Sequence, residues 1–210
     1  MLHLFRLFIL ALKSCCVVTQ ELHSESFVVD FEAPRKPLFR FWENCVGSGH
    51  AALALREDWQ QQLKFAHSRL GVKAVRFHGL FDDDMGPVVT CPNLGPCTYN
   101  FTGIDTVFDF LVNNLGMKPY VEMSFMPSAI ASGNKTYMFY RANVTPPRNL
   151  SLWEDLVFAF ASHCVQRYGL QEVIKWKFEC WNEPNLKNPP IIGSFWMGTQ
   201  QEYFDLYRAS

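Results

Sequence analysis

Between residues 39 and 208 the chain repeats one pattern four times: a short apolar run, then a stretch whose apolar residues recur at helical spacing. Strands alternating with helices in this way lead to a parallel sheet covered by its own crossover helices. In the first unit an aromatic run from Phe39 to Cys45 leads into a strand at Val46, with Gly47 to Gly49 as a flexible turn. A helix follows, carrying Leu55, Trp59, Leu63, Ala66 and Leu70 and stopping at Gly71. The second unit is a strand over Val72 to His78 and a helix opened by a near capping box, Thr102 to Asp105, that continues to Gly116. The third is a strand over Pro119 to Phe125, a loop rich in Pro, Gly and Asn from 126 to 149, and a helix opened by a capping box at Ser151 to Glu154. Its stripe runs through Trp153, Leu156, Val157, Phe160, Ala161, Cys164 and Val165 to Tyr168-Gly169. In the fourth, Ile174, Trp176, Phe178 and Cys180 alternate with Lys175, Lys177 and Glu179 as a strand does, and a helix begins at Gln200.

Ligands of parallel α/β proteins bind at the carboxyl ends of the strands, so the residues there are the candidates for chemistry. The fourth strand runs out into Trp181-Asn182-Glu183-Pro184. Pro184 has no amide hydrogen for a further ladder bond and biases Glu183 away from the helical region. On the second strand Arg76 and His78 share one face, opposite Val75 and Phe77. An arginine facing an interior requires a carboxylate partner. Taken alone, His78 reads as a hydrogen-bonded structural histidine. Glu122 on the third strand is expected to point inward as a supporting carboxylate, and the long loop after it to form one wall of a pocket. Asp82, Asp83 and Asp84 read as a solvated or hydrogen-bonded acidic loop, since no cation-loop spacing follows, and no Cys/His spacing suggests zinc, so no metal is expected.

Several stretches together resemble glycoside hydrolase family 39, the β-xylosidases and α-L-iduronidases: Arg76 to Phe81 with Asp83-Asp84-Met85, then Tyr99 to Asp105, Pro119 to Pro127, Ala131 to Gly133, Asn143 to Pro147, and Trp181 to Pro184. They lie in the family's order. The resemblance implies a (β/α)8 TIM barrel, of which this chain would hold the first four strand-helix units as the N-terminal half of a catalytic domain over residues 21–210. It further implies a retaining glycosidase that needs no cofactor and acts on a carbohydrate, a xyloside or xylo-oligosaccharide. Glu183 would be the proton donor, and Asn182, His78 and Trp181 would contact the sugar. Arg76 would support the nucleophilic carboxylate, which the family carries on the seventh strand, beyond Ser210. Glu183 would then require partial burial to stay protonated, and Glu179, deeper on the same strand, would be buried structure. A piece of this kind is expected to be inactive alone and prone to aggregate. His-Gly-Leu-Phe after the arginine's segment places the resemblance nearer the xylosidase branch. An α-L-iduronidase-like uronide hydrolase and a catalytically dead carbohydrate-binding protein are the alternatives.

With a net charge of -1, no electrostatic case exists for a nucleic-acid partner. Residues 1–20, with His3, Arg6, an apolar run from Leu7 to Leu12 and small residues after Lys13, resemble a secretory signal too short to span a bilayer, so a secreted or lumenal protein without a membrane partner is expected. Cys91 and Cys97 flank a turn-rich Pro92 to Pro96 insert, and are either a small loop disulfide or two loop thiols. Of four glycosylation sequons, at Asn100, Asn134, Asn143 and Asn149, Asn134 in its Ser-Gly-Asn loop is the best candidate.

Overall fold

The structure is a computed structural model and describes residues 26–186 and 195–210. The expected leader lies outside the described residues. The chain divides into two units, Met1–Phe39 and Arg40–Ser210. Within the first, residues 26–39 are exposed and form no helix or strand. Everything below belongs to the second.

Its centre is a four-stranded, all-parallel sheet whose spatial order follows the chain order. The first strand, β1, is Val46–His50, and β2 is Ala74–His78. Two short pairs decorate the loops: β3 (Val88–Thr90) with β4 (Thr98–Tyr99), and, after β5 (Lys118–Met123), β6 (Thr136–Tyr137) with β7 (Ala142–Asn143). The last sheet strand is β8, Lys177–Cys180. The crossover helices are α1 (Glu57–Leu70), α2 (Thr102–Asp109) and α3 (Leu150–Tyr168), with a single turn α4 (Leu170–Val173) leading into β8, and α5 (Gln200–Arg208) follows it. Consecutive parallel neighbours with a helix in each crossover make an open arc of an α/β barrel.

The core between sheet and helices is aromatic. Along α3 the residues Trp153, Leu156, Val157, Phe160 and Cys164 are buried, the three-and-four spacing of one helix face. Phe160 meets Phe81 edge-on at 5.2 Å and Phe101 at 5.8 Å. Each such side chain contributes roughly 1.5–3 kcal/mol of burial. On β2, Val75 and Phe77 enter this layer while Arg76 and His78 face the other way. The Trp59 indole on α1 donates to Ser48 Oγ of β1 at 2.7 Å, tying the first unit together.

Several boundaries differ from the sequence expectation, each for a local reason. The glycine segment after Val46 is strand to His50, because it is paired with β2. Helix α3 begins two residues early, capped by Asn149, whose side-chain oxygen accepts from the Ser151 amide at 3.1 Å, so Ser151 is not the cap. Likewise Asn100, and not Thr102, supplies the side-chain acceptor at the start of α2, which finishes in a π turn over Phe110–Asn114. The stretch 170–176 is helical turn and not strand, leaving Ile174 exposed and shortening β8 to four residues. Helix α5 carries a full capping box, Thr199 with Glu202, where none was expected. The loop from 126 to 149 is organised by the β6–β7 hairpin and a bridge between Ala131 and Pro147. Cys91 and Cys97 are joined as a disulfide across the β3–β4 connection.

Candidate active site

Register brings the polar residues together. In the β5–β8 pair Glu122 stands opposite Glu179, two carboxylates side by side on one face of the sheet. Like charges in that relation repel, and Arg76 of β2 compensates both. Its Nε and one terminal nitrogen donate to the two oxygens of Glu179 at 2.6 and 2.9 Å, a two-pronged pairing. The same terminal nitrogen lies 2.6 Å from Glu122 Oε2 and donates to Asn182 Oδ1 at 3.1 Å. Hydrogen bonding to Glu179, ahead of the charge of Glu122, raises the Arg76 pKa further and keeps the guanidinium charged.

Glu122 is the buried member of this group, with its side chain fully covered. Its partners surround it: the Arg76 guanidinium pairs with it as an ion, the Ser124 hydroxyl donates to it, and His78 Nδ1 lies 2.8 Å away. A proton on Nδ1, shared with Glu122, is the tautomer that leaves Nε2 of a neutral ring as an acceptor. Ser124 in turn accepts from the Gly79 amide at 3.2 Å, so the ends of β2 and β5 are stitched by one network.

After Cys180 the chain turns sharply. The Trp181 amide makes one more bond to the β5 side, to Met123 O at 3.2 Å, and Trp181 and Glu183 then take positive φ values of 68° and 43°. Non-glycine residues in that region carry strain, and such positions gather at functional sites. The turn holds Asn182 buried against Arg76 and puts Glu183 outside. Among the described residues no side-chain hydrogen bond or ion pair engages the Glu183 carboxyl.

Four expectations are corrected here. Trp181 does not present a face to a ligand: it is buried, packs edge-on against Phe125, Trp196 and Trp153, and donates its indole hydrogen to Phe195 O at 2.7 Å. Glu179 is a partly exposed partner of Arg76, because β8 is an outer strand of the described sheet. Arg76 finds two carboxylates within this chain, so its need for a counter-charge does not by itself point beyond it. Glu183, expected to be partly buried, is exposed. Arg76, His78 and Asn182, in contrast, are brought together around Glu122, with Asn182 coupling the Glu183 turn to that cluster.

A second group at the same edge escaped the sequence reading. His50 ends β1 beside His78 in register. Its Nε2 lies 2.6 Å from Asp84 Oδ2, its Nδ1 is 3.7 Å from Asp82 Oδ2, and its ring stacks on Tyr140 at 3.9 Å. Of the acidic loop, expected to be solvated or hydrogen-bonded, Asp83 accepts from the Ser128 amide and Asp84 pairs with His50, while Asp82 is buried. That burial, with the charges of Asp84 and Asp83 close by, pushes its carboxyl up to about 8. The group opens on a cavity of about 280 Å³ lined by Asp82 to Asp84, Tyr140, Arg141 and Asn143, so the 126–149 loop does wall a pocket. The available signal was position: His50, like His78, ends a strand of a parallel sheet. Among the sequons, Asn143 is buried and bonded to Gly133 O, Asn100 accepts from the Thr102 amide, Asn149 caps α3, and Asn134 is exposed.

The model of glycosyl hydrolases family 39 matches residues 26–210. A β-xylosidase of Caldicellulosiruptor saccharolyticus is 48% identical over 169 residues, 80% of this chain and 33% of that protein. A β-xylosidase of Geobacillus stearothermophilus is 41% identical over 180 residues, 84% of this chain and 34% of that protein. Human α-L-iduronidase is more distant, 34% identical over 158 residues, 71% of this chain and 22% of that protein. Among solved structures, a monomeric β-xylosidase from Caulobacter crescentus superposes with a TM-score of 0.73 at 38% identity, covering 82% of this chain and 33% of that one. The chain spans about a third of the length of the β-xylosidases it matches.

Proposed function

The chain belongs to glycosyl hydrolase family 39, and from that premise we propose that it carries the acid/base part of a retaining glycosidase site that cleaves neutral β-xylosides. One observation carries the assignment. The strained turn after β8 sets Glu183 outward at the strand's carboxyl end while Asn182, one residue before it, is fixed to Arg76. A carboxylic acid held there reaches a glycosidic oxygen, and Asn182 and His78 offer hydrogen bonds to sugar hydroxyls beside it. Retaining hydrolysis also needs a carboxylate nucleophile roughly 5 Å from the acid. Arg76, already holding Glu122 and Glu179, orients that part of the site, and on this reading the nucleophile comes from residues of the protein other than these. The higher identity to β-xylosidases than to iduronidases favours the xyloside over the uronide. Passage through the secretory pathway belongs to the same proposal, supported by the apolar leader, the Cys91–Cys97 disulfide and the exposed sequon at Asn134.

The test removes the acid in the full-length protein. Glu183→Ala should slow xylobiose cleavage by on the order of 10²–10⁴-fold, the usual contribution of a positioned acid. A dinitrophenyl xyloside leaves without protonation, so its glycosyl-enzyme should still form and then stall, because the same residue acts as base to water. Azide needs no base and should restore turnover, giving a β-xylosyl azide. Equal slowing of both substrates without azide rescue would remove Glu183 from the role.

A further inference from the structure

The His50 cluster is not used by that chemistry, and its geometry is unusual for a purely structural one. Three buried side-chain polar atoms among the described residues have no hydrogen-bond partner, and all three belong to it: His50 Nδ1, Asp82 Oδ2 and the Tyr140 hydroxyl. His50 and Asp82 are only 6% and 5% exposed. The Nε2 nitrogen lies 2.6 Å from Asp84 Oδ2, and a neutral ring that donates there turns the lone pair of Nδ1 toward Asp82. Nδ1 faces the Asp82 carboxyl at 3.7 Å, a separation too long for a hydrogen bond. A water donating to both atoms through normal bonds would hold them about 4.4 Å apart. An ion bonded to both at about 2.1 Å spans 3.7 Å at an angle near 120°.

The surrounding backbone keeps this gap clear. Gly79 has a φ of +70°, and a Cβ there would come within 2.4 Å of Asp82 Oδ2 and 2.9 Å of His50 Nδ1. One donor atom from each of His50, Asp82 and Asp84 lies within 4.8 Å of the others, with Asp84 on the far ring nitrogen, Nε2, and Asp82 facing Nδ1. Asp84 is about half exposed and borders the cavity, which gives solvent access for the remaining ligands.

We propose that His50 Nδ1 and Asp82 Oδ2 bind a divalent transition-metal ion, with Asp84 orienting the imidazole through Nε2 and water from the cavity completing the coordination. A carboxylate on the far nitrogen of a metal-bound histidine is the usual supporting arrangement for such a ligand. The mixed imidazole and carboxylate donors suit zinc, manganese or cobalt better than calcium. The ion would clamp the loop after β2 onto the end of β1, beside His78, and is a structural cross-link with no part in bond cleavage.

The full-length protein, stripped with chelator, should take up one equivalent of Co²⁺ with new visible absorption bands and one equivalent of Zn²⁺ by calorimetry. Zn²⁺ at a hundredfold excess over its Kd should raise the Tm of the full-length protein by roughly 2–4 °C. Asp84→Asn, at a half-exposed position that should fold normally, should weaken affinity about 10–100-fold, and His50→Gln and Asp82→Asn should abolish binding. If Asp82→Asn fails to fold, the wild-type Co²⁺ titration and Asp84→Asn still decide. Absence of a bound equivalent, or affinity unchanged in both Asp84→Asn and His50→Gln, would overturn the proposal.

Discussion

Replacing Arg76 with methionine keeps much of the side chain's length while removing the charge that holds two carboxylates side by side. Glu122 is fully covered and would lose its 2.6 Å ion pair, and Glu179 would lose both prongs of its bond. Breaking a buried pair by deleting one partner costs about 3–5 kcal/mol, most of it the desolvation of the charge left behind. Two features put this case at the low end: His78 and Ser124 still donate to Glu122, and the Glu179 side chain is 32% exposed. A loss of about 3 kcal/mol is expected in the full-length protein. Circular-dichroism melts and urea titrations would measure it. The mechanism makes a sharper claim about the double variant, because Glu122→Gln removes the orphaned charge. Arg76→Met with Glu122→Gln should therefore be less destabilised than the sum of the two single changes, by about 1–3 kcal/mol. Strict additivity, or a loss under about 1 kcal/mol for Arg76→Met, would refute the view that buried-charge compensation holds this edge of the sheet together.

Two further expectations concern the loops. Because the Cys91–Cys97 bridge closes a loop of sequence separation 6, replacing both cysteines with serine should cost ~2 kcal/mol, and non-reducing peptide mapping should recover the joined peptide from secreted material. Two freely alkylated cysteines would exclude the bridge. Expressed through a glycosylating secretory pathway, the protein should shift in mass on deglycosylation, and Asn134→Gln should remove the shift; a shift that persists would mean another sequon is used.

Much of the architecture was legible in the chain because it depends on periodicity, which is local. The four strand-helix units follow from apolar spacing, and the alternation on Val75 to His78 correctly separates the core pair from the polar pair. The ordered family motifs placed the Glu183 turn at a strand end before any contact was known. Boundaries were less legible where the side chain that accepts the first helical amides lies outside the apolar pattern, as Asn149 and Asn100 do, or where alternation continues through a turn, as it does from Ile174 to Trp176.

What only the tertiary structure decided are the partnerships. Arg76 and Glu179 are 103 residues apart in the chain, and His50 and Asp84 are 34 apart. No spacing rule links them, because parallel register and not sequence separation brings strand ends together. The same holds for burial. Trp181 and Glu183 stand two apart beside the same proline, yet the turn between them sends the indole into an aromatic cluster and the carboxyl to the surface. The sequence determined that an indole, an amide and a carboxyl would arrive together at the end of a strand. Which of them would face a ligand depended on the two positive φ angles of that turn, which packing against β5 and the Trp196 region imposes and local propensity disfavours.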